Sequence, residues 1–202
     1  TPIEIMESLR VCYGANVPLE IHGSPGMGKT SFPRQVARED GLECRVLVLS
    51  HYDRVDFSLP YIDNNCTEKV VRFAASEIFP TSGKGLLVLD EISAAPREIQ
   101  PICYRLIEER QLGERKLPDE WLPVATSNLS TDKAIVNKQS SALSNRMLHI
   151  YGVLDLDDWI KWANQNGIDQ RIVAFTRFRP TLFYDGFNPS NTVNLTPRTL
   201  EK

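Results

Sequence analysis

One stretch constrains this chain more than any other: GSPGMGKTSFPRQV, residues 23 to 36, sets three glycines and a proline in front of a lysine. Gly23 to Thr30 match the pattern G-x-x-x-x-G-K-[ST] at all four fixed positions. The brief alternation of VPLEIHG ahead of it predicts a strand, and the residues from the loop to about Glu39 predict a helix. That order gives the pattern a mechanism. Glycines let successive backbone N–H groups turn inward around phosphate oxygens, and the helix N-terminus adds its dipole. The candidate phosphate-binding residues are Gly23, Ser24, Pro25, Gly26, Met27, Gly28, Lys29, Thr30 and Ser31. Within this set Lys29 reaches the β- and γ-phosphates, and the Thr30 hydroxyl holds Mg²⁺. A glycine-rich turn with a solvated lysine is the competing reading. Pro33 predicts a slightly bent or widened first helical turn, because proline lacks the N–H and crowds the preceding carbonyl.

A phosphate loop needs a carboxylate opposite it, and LLVLDE (86 to 91) supplies two. Four apolar residues run into Asp90, at the C-terminal end of a buried strand, where open α/β sheets gather their ligands. Asp90 is the Mg²⁺-side carboxylate and Glu91 the candidate base for an attacking water.

The rest of the chain fits an α/β sheet. CRVLVLS (44 to 50) is apolar enough for a strand buried on both faces, and LPVATSN (122 to 128) reads as another strand. Helices are predicted over 2 to 13, over 69 to 79, and from Pro96 along the face Ile99, Ile102, Cys103, Leu106 and Ile107. Strands alternating with helices indicate a parallel sheet. The stretch from His51 to Asn65 reads as a long loop or insertion. From Gly152 the pattern is helical only, with DLDDWIKWANQNG and QRIVAFTRF as two helices. The expected division is an α/β nucleotide-binding domain over 1–151 and a small helical lid over 152–202. The chain starts at Thr1 rather than methionine and stops at Lys202, which leaves open a lid that continues further.

Charge and cysteine usage narrow the partners. A formal net charge of -3 without a like-charge run advertises no nucleic-acid groove, though it does not exclude one. No apolar stretch is long enough for a membrane span. Cys12, Cys44, Cys66 and Cys103 are scattered with no C-x-x-C pair, which speaks against zinc and fits reduced thiols in the cytoplasm. His22, His51 and His149 are not at metal spacing and read as structural. Trp159 and Trp162, three apart, read as packing the lid.

Taken in order, these motifs resemble an AAA+ ATPase, and more narrowly the MoxR-type branch. GSPGMGKT is similar to Walker A, LLVLDE to Walker B, and ISAAPREIQPICYRLIEERQLG to the helix after Walker B in MoxR-like proteins. The resemblance implies an AAA+ P-loop core, a parallel sheet sandwiched by helices and followed by a helical lid. VATSN resembles the sensor 1 strand, which makes Asn128 a contact to the γ-phosphate or the water. SALSNRM resembles the segment that ends in the arginine finger, which makes Arg146 a contact to a neighbouring subunit's γ-phosphate. The family commonly has Asp-Arg-Phe there, whereas this chain has Asn145, Arg146 and Met147. LTPRTLEK resembles sensor 2, which makes Arg198 a phosphate contact from the same subunit. By the same resemblance, the His51–Asn65 stretch and a hairpin within Gln111–Trp121 face a ring pore. The implied activity is Mg²⁺-dependent ATP hydrolysis by a ring, usually a hexamer, that remodels proteins, often with a von Willebrand factor A-type partner. A nucleic-acid motor or loader is the alternative, with Arg54, Lys84, Arg115 and Lys116 as its thin basic strip. A gated module without turnover is disfavoured by the intact Asp90, Glu91 and Lys29, and a small-molecule kinase by Glu91 and Asn128, which suit activation of water.

Overall fold

In the computed structural model of the chain, the described residues are 1–63, 68, 70–129, 145–184 and 194–201. The first helix, α1 (Pro2–Ala15), carries a capping box between Thr1 and Glu4 and ends on Asn16 in the left-handed conformation. It leads into β1 (Leu19–His22), the glycine loop and α2 (Ser31–Asp40), which Gly41 closes. Helix α2 runs unbroken past Pro33. Proline there is the third helical residue, and an N–H in that first turn has no intrahelical acceptor in any case.

Strand β2 (Glu43–Val48) is followed by a 3₁₀ turn over Leu49–His51 and the short helix α3 (Arg54–Phe57). Strands β3 (Ser58–Asp63) and β4 (Val70–Ala75) then pair antiparallel, with Tyr61 opposite Arg72. Two expectations are corrected here. The stretch after His51 is a short helix and a strand rather than a loop, and most of the helix read over 69 to 79 is β4. Val70, Val71 and Phe73 favour the extended conformation, and pairing with β3 satisfies their backbone.

Strand β5 (Gly85–Asp90) is buried along its length up to Asp90. After a 3₁₀ turn over Ile92–Ala94, helix α4 (Gln100–Glu108) starts four residues later than Pro96. The Pro96 carbonyl accepts from the N–H groups of Ile99 and Gln100 in a turn ahead of the helix, and Pro101 occupies its first turn. The two-residue strands β6 (Gln111–Leu112) and β7 (Arg115–Lys116) form the expected hairpin, and β8 (Trp121–Ser127) is wholly buried.

Strand β9 (Leu148–Tyr151) escaped the sequence reading. It is four residues long and half exposed at a sheet edge, too short to show a period. The main sheet has the order β2-β5-β8-β1-β9, and every pairing in it is parallel.

Alternation along β5 divides the core between the two faces of this sheet. Leu86 and Val88 pack with Ile5, Leu9, Phe32 and Val36 of α1 and α2. Leu87 and Leu89 pack with Ile99, Cys103 and Leu106 on the α4 side. Helices α5 (Leu156–Gln165), α6 (Gln170–Phe178), α7 (Pro180–Tyr184) and α8 (Pro197–Leu200) build a third cluster around Trp159, Ile160, Ala163 and Phe183. Cys12, Cys44 and Cys103 are free thiols, and burial pushes Cys103 up to about 12. Cys66 lies outside the described residues. Among the described residues no helix is long and apolar enough to cross a membrane.

Candidate active site

The parallel order brings the C-terminal ends of β1, β5 and β8 side by side, and the motif residues follow directly from those ends. Two loop residues adopt positive φ, Gly26 at 81° and Gly28 at 98°, which is glycine's territory. A Cβ on Gly26 would also lie 2.5 Å from the Thr196 hydroxyl oxygen.

Lys29 is only 8% exposed, and its ammonium has backbone and side-chain acceptors on both sides. It donates to the carbonyls of Gly23 (2.7 Å) and Ser24 (3.0 Å) and to Asn128 Oδ1 (2.8 Å). Sixty residues separate Thr30 from Asp90 in sequence, yet the Thr30 hydroxyl donates to Asp90 Oδ1 at 2.8 Å. A threonine at a helix N-cap ordinarily caps its own helix; the Thr30 side chain makes no such bond and is turned toward Asp90 instead. Helix α2 thus starts with its oxygen donor facing a carboxylate.

Thr126 is the residue that sequence reasoning missed. Its hydroxyl donates to Asp90 Oδ1 at 2.5 Å and accepts from the Glu91 N–H at 3.1 Å. It therefore fixes both carboxylate residues from the neighbouring strand. A threonine two positions before Asn128, where an apolar strand turns polar, was the available signal. Glu91 sits at φ 58° as the strand turns into the 3₁₀ segment, and the Ser50 hydroxyl donates to its Oε2 at 3.3 Å. A glutamate in the left-handed region is uncommon.

Pro25 lies in the turn of the loop, and the Ser31 N–H donates to the Gly28 carbonyl at 2.8 Å. Met27 packs beneath the loop against Gly23 and Gly152. Arg198 comes to the loop through its backbone, whose N–H donates to the Gly26 carbonyl at 3.2 Å. Arg146 lies elsewhere, held by α4: its Nε is 2.6 Å from Glu108 Oε1, and its guanidinium stands over the Tyr104 ring at 5.0 Å. Residues 141 to 144 of the arginine segment lie outside the described residues.

Beside the loop, a cavity of about 180 Å³ is lined by Met6, Met27, Phe32, Trp159, Trp162 and Phe183, among others. Trp159 packs against Phe183, and both Trp159 and Trp162 face this cavity. Of the histidines, the fold joins two that the sequence kept apart. His22 Nε2 lies 2.8 Å from His149 Nδ1, beside buried Glu20. Burial lowers the His22 pKa; Glu20 pulls it up, while His149 and Lys29 push it further down.

No model of a known protein family matches the chain, and no curated protein matches it in sequence. Solved structures do match in shape. A candidate ATPase of Cytophaga hutchinsonii superposes with a TM-score of 0.60 at 15% identity, covering 81% of this chain and 50% of that one. RuvB of Thermotoga maritima gives 0.55 at 16% identity, covering 82% and 52%. NtrX of Brucella abortus, solved in complex with ATP, gives 0.53 at 16% identity, covering 83% and 41%. The chain thus spans about half the length of these structures or less. With its five-stranded parallel sheet, its phosphate-type loop between β1 and α2, and these likenesses, the chain has the fold of the AAA+ P-loop ATPases.

Proposed function

We propose that the chain binds ATP with Mg²⁺ and hydrolyses it as one subunit of a ring, a MoxR-type AAA+ protein that remodels a protein partner. One observation carries this reading: Lys29, Thr30, Asp90 and Asn128 converge on the mouth of one loop, through contacts of 2.8 Å between Lys29 and Asn128 and between Thr30 and Asp90. The residues suit both groups. Gly26 and Gly28 supply the positive φ values that let backbone N–H groups turn toward phosphate, and a threonine hydroxyl beside a carboxylate is an all-oxygen set of the kind Mg²⁺ prefers. Mg²⁺ held there by Thr30 and Asp90 would neutralise negative charge that develops during transfer.

The chain's own residues then divide the work. Lys29 neutralises the β- and γ-phosphates, and Asn128 orients the attacking water without adding charge. Glu91 accepts a proton from that water as its oxygen bonds to the γ-phosphorus and the bond to the β-phosphate oxygen breaks. Arg146, engaged by Glu108 and Tyr104 on α4, serves the γ-phosphate of the adjacent subunit. The cavity lined by Phe32 and Trp159 takes the base, and the 152–202 segment closes over it as a lid, with Arg198 as its phosphate contact.

The partner-facing surface is the pair of hairpins. Leu59, Tyr61, Ile62, Val71 and Phe73 of β3–β4 are between 46% and 58% exposed, and Arg72 lies 3.8 Å from Glu114 in the turn of β6–β7. An apolar, aromatic ridge of this kind suits a protein client or a von Willebrand factor A-type partner. Exposed Arg115 and Lys116 beside it favour the alternative, a nucleic-acid strand. Capture from the native cell with the Glu91→Gln variant, loaded with ATP, separates the two. Recovery of a von Willebrand A-type protein or another defined client is expected, and recovery of nucleic acid alone selects the second reading.

A further inference from the structure

We propose that Glu20, His22 and His149 form a second metal site, for a divalent transition ion of the zinc class, which clamps edge strand β9 to the strand that enters the phosphate loop. The pairing of β1 with β9 creates it. Glu20 stands opposite His149 and His22 opposite Tyr151, and since alternate residues of a strand share a face, all four side chains emerge on one side of the sheet. One candidate ligand atom from each of Glu20, His22 and His149 lies within 4.8 Å of the other two.

The triangle has the right size. Its edges are 2.8 Å between the two imidazole nitrogens, 3.5 Å from His149 Nδ1 to Glu20 Oε2, and 3.7 Å from His22 Nε2 to Glu20 Oε2. Ligand atoms about 2.0–2.1 Å from a tetrahedral zinc stand about 3.3 Å apart, so each edge is within about half an ångström of that geometry. Two imidazole nitrogens with one carboxylate select zinc, cobalt or iron over magnesium, which sets this site apart from the oxygen-only pair Thr30 and Asp90.

The surroundings orient the ligands. The Ser127 hydroxyl donates to Glu20 Oε1, so the other carboxylate oxygen faces the imidazoles. The His22 ring stacks on Tyr151, with centroids 4.7 Å apart. Glu20 is fully buried, whereas the His22 and His149 side chains are 15% and 26% exposed, so solvent reaches the open side of the triangle. His22 immediately precedes Gly23, and His149 follows Arg146 by three residues. An ion at this point would tie the entrance of the phosphate loop to the strand that carries Arg146's segment back into the sheet. The proposal is independent of the nucleotide reading.

The test is titration of the metal-stripped chain with Co²⁺, followed by its visible absorption. The expected result is saturable uptake of one ion with the intense bands of tetrahedral cobalt, displacement by Zn²⁺, and a raised melting temperature with either metal. His149→Ala and His22→Gln should each abolish the bands with the far-ultraviolet circular dichroism intact, while Asp90→Asn keeps them. Should a variant fail to fold, NMR of the wild type decides: Zn²⁺ must shift the imidazole resonances of His22 and His149 and leave exposed His51 in place. Bands that survive His149→Ala, or a wild type with neither uptake nor imidazole shifts, overturn the proposal.

Discussion

Gly28, at φ 98°, holds the loop in a conformation that any side chain would strain, and the space around a Cβ there is otherwise ordinary. The strain of a non-glycine residue is of order 1–3 kcal/mol, so Gly28→Ala should weaken ATP binding roughly tenfold or more, measured by titration with a fluorescent analogue. Gly14 supplies the contrast. It lies inside α1 with open space around it, so Gly14→Ala should leave ATP affinity alone and raise stability by about 0.5–1 kcal/mol. The same distinction separates residues that the sequence exposes from those it hides. Lys29 and Thr30 are named by their spacing, because the chemistry and the motif coincide within eight residues. Thr126 is invisible that way: its role depends on β8 lying beside β5, which puts its hydroxyl between Asp90 and Glu91.

At the scale of elements, β5 organises the molecule, pairing with β2 on one side and β8 on the other while both its faces are buried. Leu89→Ala removes a fully buried side chain just before Asp90 and should cost about 2–5 kcal/mol, read from the midpoint of denaturant unfolding. Strands like this were legible because parallel strands buried on both faces appear as unbroken apolar runs. The β3–β4 hairpin was not. KVVRFAASEIF offers apolar residues at spacings that suit either element, and only its partner strand, contributed by a stretch that reads as polar loop, decides for β. Strand β9 was missed for a related reason: four residues at an edge carry no period, and their place is set by the backbone of β1. The metal triangle follows from that same pairing, since His22 and His149 are 127 residues apart in sequence.

Across the whole molecule, the loop, Asp90 and Asn128 meet, whereas Arg146 is engaged by Glu108 and Tyr104 on α4. If Arg146 serves a neighbour's γ-phosphate as proposed, Glu91→Gln and Arg146→Ala subunits, each inactive alone, should recover part of the turnover when mixed. Mixed assemblies that form without regaining activity would remove Arg146 from the shared site. Whether this convergence hydrolyses ATP is decided by phosphate release from ATP in Mg²⁺, measured in parallel with nucleotide binding for the wild type and Glu91→Gln. Steady turnover is expected in the wild type, and in the variant a loss of at least about 100-fold with ATP retained, in line with removal of a general base. Equal rates in the two proteins, or a wild type that binds ATP in Mg²⁺ as an assembled ring and releases no phosphate, would contradict it.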